Sequence, residues 1–386
     1  MTSGLFLSPV SQDIGVGIGS LSIYFSISSI VLVLWLPIAG KLINKYDIRL
    51  IAIVGAFLQA LSFVAFGSMN NVYAWYLLAI PHAMGAALIV NLLGPIMINR
   101  WFAKNEGLML GIQMAFAGIF GAILQPITST IIQRHGWRNA YYFIGWITFV
   151  VVILSALTLL KNKPSDLDIL PYGRDDNTEE LTKHHSEEYI EVSESAAIHS
   201  ASFYLLIIFM ISITGVGVFT QHIAPYGTML GYSTQSIGSA LAFASIGNAI
   251  GSIAIGIISD RIGSLKTCYC IITVGFLAII GFLLSSLSFT IFSIATFLHG
   301  LATSGIMVLA PILTIKFFGQ KDYEKIYAKI SMGAPLASII LIPSYGYIYD
   351  IMKDYFFVLI AMTVLLIVAT FCIGIGWKKR AKINVY

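Results

Sequence analysis

Gly40-Lys41-Leu42-Ile43-Asn44-Lys45-Tyr46-Asp47-Ile48-Arg49 and, 216 residues further on, Gly256-Ile257-Ile258-Ser259-Asp260-Arg261-Ile262-Gly263 are two versions of one short polar segment set between long apolar runs. The same offset pairs Pro9 with Pro225, Gly15 with Gly231, Ser20 with Ser236, Pro95 with Pro311 and Phe102 with Phe318. A single offset that serves loops, glycines and prolines alike is the mark of an internal duplication, and it divides the chain into two homologous halves.

The apolar runs between these loops set the solvent. With 58% apolar and only 10% charged residues, the composition is far from the roughly 25% charged residues of a soluble domain. A hydrocarbon core about 30 Å thick needs about 20 residues of helix, so uncharged stretches convert directly into spans. Residues 14–40, 107–133, 139–160, 330–349 and 355–377 each make one. Residues 50–99, 195–259 and 267–315 are twice as long and break at Asn70-Asn71, at Gly231-Tyr232-Ser233-Thr234 and near Ser285-Ser286-Leu287-Ser288, giving helical hairpins. The expected fold is therefore an all-α polytopic membrane protein of two six-helix halves with about eleven complete spans. Its first helix is represented only by a short apolar start. The offset predicts that about 15 residues of that helix precede Met1; a chain of eleven helices is the alternative.

Lys and Arg collect on the cytoplasmic side of membrane proteins. Eighteen of the 22 fall on one set of loops and the C-terminus, and only Arg134, Arg138 and Lys353 on the other. This bias predicts a cytoplasmic central linker and C-terminus in a multi-pass protein of the cell membrane. The expected divisions are residues 1–162, a linker over 163–199 holding ten of the 18 carboxylates, and residues 200–386. A segment so polar is expected to be largely disordered. The basic residues punctuate apolar runs and form no basic face, which argues against nucleic acid. Cys268, Cys270 and Cys372 lie inside apolar runs, so neither disulfides, metal nor cofactor is expected. No obligate protein partner is evident, and no G-x-x-x-x-G-K-[ST] segment points to a nucleotide-driven pump.

The two opening segments resemble the loop signature G-x-L-x-D-R-x-G-R-R of major facilitator transporters. The second copy keeps Gly256, Asp260, Arg261 and Gly263; the first keeps Gly40, Lys45 and Arg49 but has Asn44 and Asp47 where the pattern differs. Arg100-Trp101-Phe102 with Gly107, Gly111, Gly118, Gly121 and Pro126, then Gly136-Trp137-Arg138, and later His222-Ile223-Ala224-Pro225-Tyr226 and Gly346-Tyr347-Ile348-Tyr349-Asp350 with Tyr355, are similar to the monocarboxylate and oxalate/formate branch. The resemblance implies a secondary transporter of a small solute working by alternating access, with a coupling ion or counter-anion as a possible co-substrate. It implies a gate at the paired loop segments.

The branch carries an embedded lysine that pairs with substrate carboxylate, and Lys329 in Tyr327-Ala328-Lys329 matches it. A desolvated ammonium favours an anion; snorkelling to the interface is the competing reading. Ser252 stands where the branch tends to have a basic residue, and Asn248 where some relatives have an acidic one, which shifts the expectation from dicarboxylate toward a monocarboxylate or neutral polar solute. Gln113, equivalent to Lys329 through the repeat, and Asn91 and Gln221 are further candidates for solute contact or interhelical bonding. His222 and His299 are candidates for a proton site or for structural hydrogen bonds. Export of amphipathic compounds is the second transport hypothesis, with apolar cavity walls and indifference to Lys329. A non-transporting sensor with the linker as output is the hypothesis from another class. An enzyme is not expected, because no span offers a nucleophile with acid and base partners.

Overall fold

A computed structural model describes residues 3–102, 106–167, 169–173, 192–319 and 322–380. The described chain is helical. In the first half α1 is Gly4–Ile14, α2 Ile18–Lys45, α3 Ile48–Ser68, α4 Val72–Ala86, α5 Leu93–Trp101 and α6 Glu106–Thr158. A short α7, Glu194–Ile198, leads into the second half: α8 Ala201–Gly217, α9 Ile223–Met229, α10 Thr234–Ile262, α11 Ser264–Leu283, α12 Phe289–Thr303, α13 Gly305–Phe318, α14 Tyr323–Ser331, α15 Gly333–Met352 and α16 Phe356–Arg380.

Ten helical runs among the described residues are long and apolar enough to cross a membrane, and one of them, Gly111–Thr158, is double length. Gly136 breaks that run with φ 83° and ψ 162°, a conformation open to glycine and costly for other residues. The described residues therefore hold eleven spans, as the uncharged stretches predict, and the hairpin turns fall where expected, between α3 and α4, α9 and α10, and α11 and α12. α1 is 11 residues long, about 16 Å, and too short to cross. Gly15 and Gly231, matched by the repeat, both hold positive φ, 67° and 84°, at the turn into the next long helix.

The duplication also explains two bends. Between α4 and α5 the chain passes through a widened π-helical turn over Ala87–Leu92, and between α12 and α13 the helix breaks at Ser304. These points correspond at the 216-residue offset, and each precedes its matched proline, Pro95 or Pro311. A proline removes one i to i−4 hydrogen bond and its ring strikes the carbonyl four residues back. The third interruption is the 3-10 turn Val218–Gln221 between α8 and α9.

The linker differs from the expectation of general disorder at its last residues. Val192 and Ala197 are fully buried, the Val192 amide donates to the Phe318 carbonyl at 3.0 Å, and Ser193 caps α7 by accepting from the Ala196 amide at 3.3 Å. Two apolar side chains and one cap suffice because the surfaces of α14 and α8 supply the rest of the packing. Most of the linker's acidic residues lie outside the described residues.

Candidate functional site

The two halves meet along two seams related by the repeat, α2 against α15 and α6 against α10. In the first, Ser26 Oγ donates to the Ile339 carbonyl at 2.6 Å. Gly19 and Gly346 are in backbone contact, so that a Cβ on Gly346 would stand 2.6 Å from the Gly19 Cα. The seam ends in a helix cap that crosses between halves: the Ile18 amide donates to Asp350 Oδ1 at 2.9 Å and the Gly19 amide to Oδ2 at 2.7 Å. The first amides of a helix have no partner within it, and a carboxylate there also meets the positive end of the helix dipole. In the second seam Gly238 packs on Ser129, Gly118 on Ala249, and Ser245 Oγ donates to Gln125 Oε1 at 3.2 Å.

The Asp350 cap lies at the face that also carries Asp13 and Arg138. There Arg138 also bonds Asp13 at 2.8 Å and Asn70 Oδ1 at 2.6 Å and stacks on Trp137. At the opposite face, where the linker attaches, Gly40, Gly111 and Gly256 have open space where a Cβ would stand. The Asp350 cap joins the two halves at its face.

At the linker face the loop segments are held within each half. Asp47 caps α3 through the Arg49 amide at 2.7 Å, Arg49 Nε donates to the Leu160 carbonyl at 2.8 Å, and Arg100 donates to Asn162 Oδ1 at 2.5 Å. Lys45 lies 5.4 Å from the Tyr46 ring centroid. Arg261 is exposed, and Gly263, with φ 88°, turns the chain from α10 into α11. The side chains of Asn44 and Asp260 lie outside the described residues.

The candidate solute residues fall into three groups. The first is near the helix interruptions of the second half. Both ring nitrogens of His222 are occupied, Nε2 by the Ile342 carbonyl at 2.8 Å and Nδ1 by the Tyr355 hydroxyl at 3.1 Å. A carbonyl only accepts, so Nε2 carries the hydrogen and Tyr355 donates to Nδ1. His299 Nε2 lies 3.0 Å from Thr220 Oγ1. Beside them Gln221 Oε1 is buried without a partner among the described residues.

The second group serves the bends. Asn248 Nδ2 reaches the Gly300 carbonyl at 3.5 Å, one turn before the break at Ser304, and Ser252 Oγ returns to the Asn248 carbonyl at 2.8 Å. Asn91, inside the π-helical turn, donates to the Ala86 carbonyl at 3.2 Å, and Gln113 packs on Gly94 with its Oε1 buried and without a partner among the described residues.

The third group is Lys329. Lys329 lies in α14, beyond the helix break at Met332 that separates it from α15. Its side chain is 44% exposed, and its ammonium contacts Glu194 Oε1 of α7 at 2.7 Å. Glu194 in turn lies 4.0 Å from Lys325, its amide donates to Asp322 Oδ2 at 2.9 Å, and Lys325 bonds Asp322 Oδ1 at 3.0 Å. Sequence reading singles out Lys329 but misses Glu194, 135 residues away in a segment that looks like featureless linker. It notes Asp350 only as part of a family pattern. The one local signal for Asp350 was an acidic residue at the end of a span that faces glycines in the other half.

Two repeated helical halves, seamed by small residues and carrying bent helices, have the architecture of a secondary membrane transporter. The sequence profile of the Major Facilitator Superfamily matches residues 1–294 and 230–382, and the chain belongs to that family. The uncharacterized MFS-type transporter YhjX of Escherichia coli is 20% identical, covering 88% of this chain and 81% of that protein. Monocarboxylate transporter 12 of Xenopus laevis is 22% identical over 83% of this chain and 72% of its own. The oxalate:formate antiporter of Oxalobacter formigenes is 21% identical over 68% and 60%. Among solved structures, a bacterial homologue of the human lysosomal transporter Spinster, inward-facing and occupied, superposes with a TM-score of 0.67 at 12% identity, covering 100% of this chain and 96% of that one. The nucleoside transporter NupG gives 0.64 at 12% identity, covering 100% and 97%.

Proposed function

We propose that this protein is a secondary transporter of a small organic anion, a monocarboxylate in the first instance, and that Lys329 meets the solute's carboxylate. The observation that carries this reading is the state of Lys329 itself. It stands half-exposed in α14, near the linker face, and it already holds a carboxylate oxygen at 2.7 Å. An ammonium so placed is matched to one carboxylate at a time. Relatives whose names specify monocarboxylates and an oxalate:formate exchange support the solute class.

In this reading the linker face is cytoplasmic, as the excess of basic residues there favours, and the conformation is open to the inside. Solute bound between the halves is carried across as α2 and α15, and α6 and α10, rock on their small-residue seams. Gln113 and Asn91 of the first half, and Asn248 and Ser252 of the second, are the polar groups near the helix bends that would exchange their present contacts for a solute oxygen: Gln113 Oε1 has no partner among the described residues, and Asn91 and Asn248 hold backbone carbonyls at 3.2 and 3.5 Å. His222, Gln221 and His299 lie in the closed end and complete the path when that end opens.

The test is uptake of labelled monocarboxylates and dicarboxylates into proteoliposomes by the intact protein and by Lys329→Ala. Saturable monocarboxylate uptake that falls at least tenfold in the variant is the expected result. Saturable uptake unaffected by the substitution moves the anion site away from Lys329, and indifference of the intact protein to every carboxylate turns the search to neutral or amphipathic solutes.

A further inference from the structure

We propose that Glu194 is an internal competitor of the transported anion: a carboxylate supplied by the linker that occupies Lys329 when the site is open and empty, and must be displaced for solute to bind from the linker face. The proposal rests on the reading that Lys329 receives the solute's carboxylate.

The geometry is that of a built contact. Glu194 Oε1 lies 2.7 Å from Lys329 Nζ, and the Glu194 side chain is 31% exposed. Its backbone is fixed on both sides, by the Val192 amide on the Phe318 carbonyl and by its own amide on Asp322 Oδ2 at 2.9 Å. Val192 and Ala197, both fully buried, anchor α7 against the second half. The carboxylate is thus presented by an ordered element and is not merely the nearest acidic group on a loose chain. Lys325, one turn earlier, bonds Asp322 at 3.0 Å and stands 4.0 Å from Glu194; the shorter contact of Glu194 is with Lys329.

Two consequences follow. An ammonium left without a partner at the edge of the membrane would pair with any anion that reached it. A protein carboxylate that takes over as the solute departs lowers the cost of release, and it weakens apparent affinity on that face in proportion to the strength of the pair. For a half-exposed pair that factor is about two- to fivefold. The competitor also belongs to the linker, so any event that undocks α7 changes the affinity of the transport site without touching a transmembrane helix.

The experiment uses the full chain in proteoliposomes with the linker face exposed to the bath. Acylation of Lys329 by a water-soluble amine reagent is followed by peptide mass spectrometry, with formate, lactate or oxalate added in turn as protecting anion, and Lys378 as the reference for general access. In Glu194→Gln, Lys329 acylation is expected to rise about two- to fivefold relative to Lys378, and the half-protecting concentration of the anion to fall by the same factor. Val192→Asp, which undocks the anchor and leaves the carboxylate in the chain, is expected to do the same. Unchanged Lys329 reactivity in Glu194→Gln overturns the pairing. Raised reactivity with an unchanged half-protecting concentration overturns the competition and leaves Lys329 as the anion site. Raised reactivity with no protection by any of the three anions overturns the Lys329 reading, and the competition falls with it.

Discussion

Asp350 does for α2 what a residue at the start of α2 would ordinarily do for itself. Gly17, at the N-cap position, has no side chain to offer the Ile18 and Gly19 amides, and the carboxylate arrives from the other half of the molecule. The absence of a side chain is also what admits it, since a Cβ on Gly17 would collide with the Asp350 carboxylate. Because this cap exists only while the Asp350 face is closed, its loss weakens one conformation and not the other. An N-cap carboxylate contributes about 1 kcal/mol, equivalent to about a fivefold shift between the two states. Asp350→Ala is therefore expected to raise the alkylation rate of a cysteine placed at the buried Ser22, in a background lacking the native cysteines, by about fivefold from the Asp350 face. His222 makes a contrasting case. Its two bonds tie the start of α9 to α15 and to Tyr355, which precedes α16, and all partners are buried. His222→Phe keeps the volume and strands a hydroxyl and a carbonyl, so it should cost about 2–3 kcal/mol, seen as a lower unfolding midpoint in detergent. His222→Asn, able to satisfy one partner, should cost less.

The elements divide by how local their causes are. Span count, hairpin turns and the two halves are legible in the sequence, because a charge-free stretch of 20 residues has few fates and because the duplication repeats at one offset. The matched prolines Pro95 and Pro311 are equally visible, yet the bends they cause are not, since a proline in a membrane helix is often absorbed without a break. The candidate site is legible only by halves. Lys329 stands out as a cation near a span, but its partner Glu194 and the Asp350 cap join residues far apart in the chain, and no local pattern announces such pairs. The docked linker end escapes for a related reason: Val192, Ala196 and Ala197 are too few to register as a core segment, and the packing of α7 is provided by α14 and α8. That docking is checkable at its own scale. Val192→Asp places a charge at a fully buried site, and the Ser193–Ser200 region should then become cleavable by added protease, while the unfolding midpoint of the transmembrane helices changes little.

At the scale of the whole molecule, the two seams determine which face can close. Both rely on residues without bulk where backbones touch: Gly17, Gly19 and Gly346 in one, Gly118 and Gly238 in the other. Helices in a bilayer gain nothing from hiding apolar surface from lipid, so association rests on close van der Waals packing, which small residues permit. Enlarging Gly346 is the sharpest perturbation, because its Cβ would meet Gly19 backbone atoms at 2.6 and 2.7 Å, and backbone in two packed helices has no rotamer to escape into. Gly346→Leu should hold α2 and α15 apart at the Asp350 face and leave the linker face free to close, shifting the population toward the opposite opening. A spin-label pair on the α2 and α15 ends at that face should lengthen, a pair at the linker face should shorten, and solute uptake should fall to near background. Gly40→Leu is the matched control, since that glycine stands in open space: it should leave the present conformation intact and interfere only when the linker face closes. If Gly346→Leu lengthens neither pair and transports normally, the α2 and α15 seam is not the hinge on which the halves turn. The burden of alternation would then fall on α6 and α10, where Gly238→Leu against Ser129 would give the same pair of distance changes.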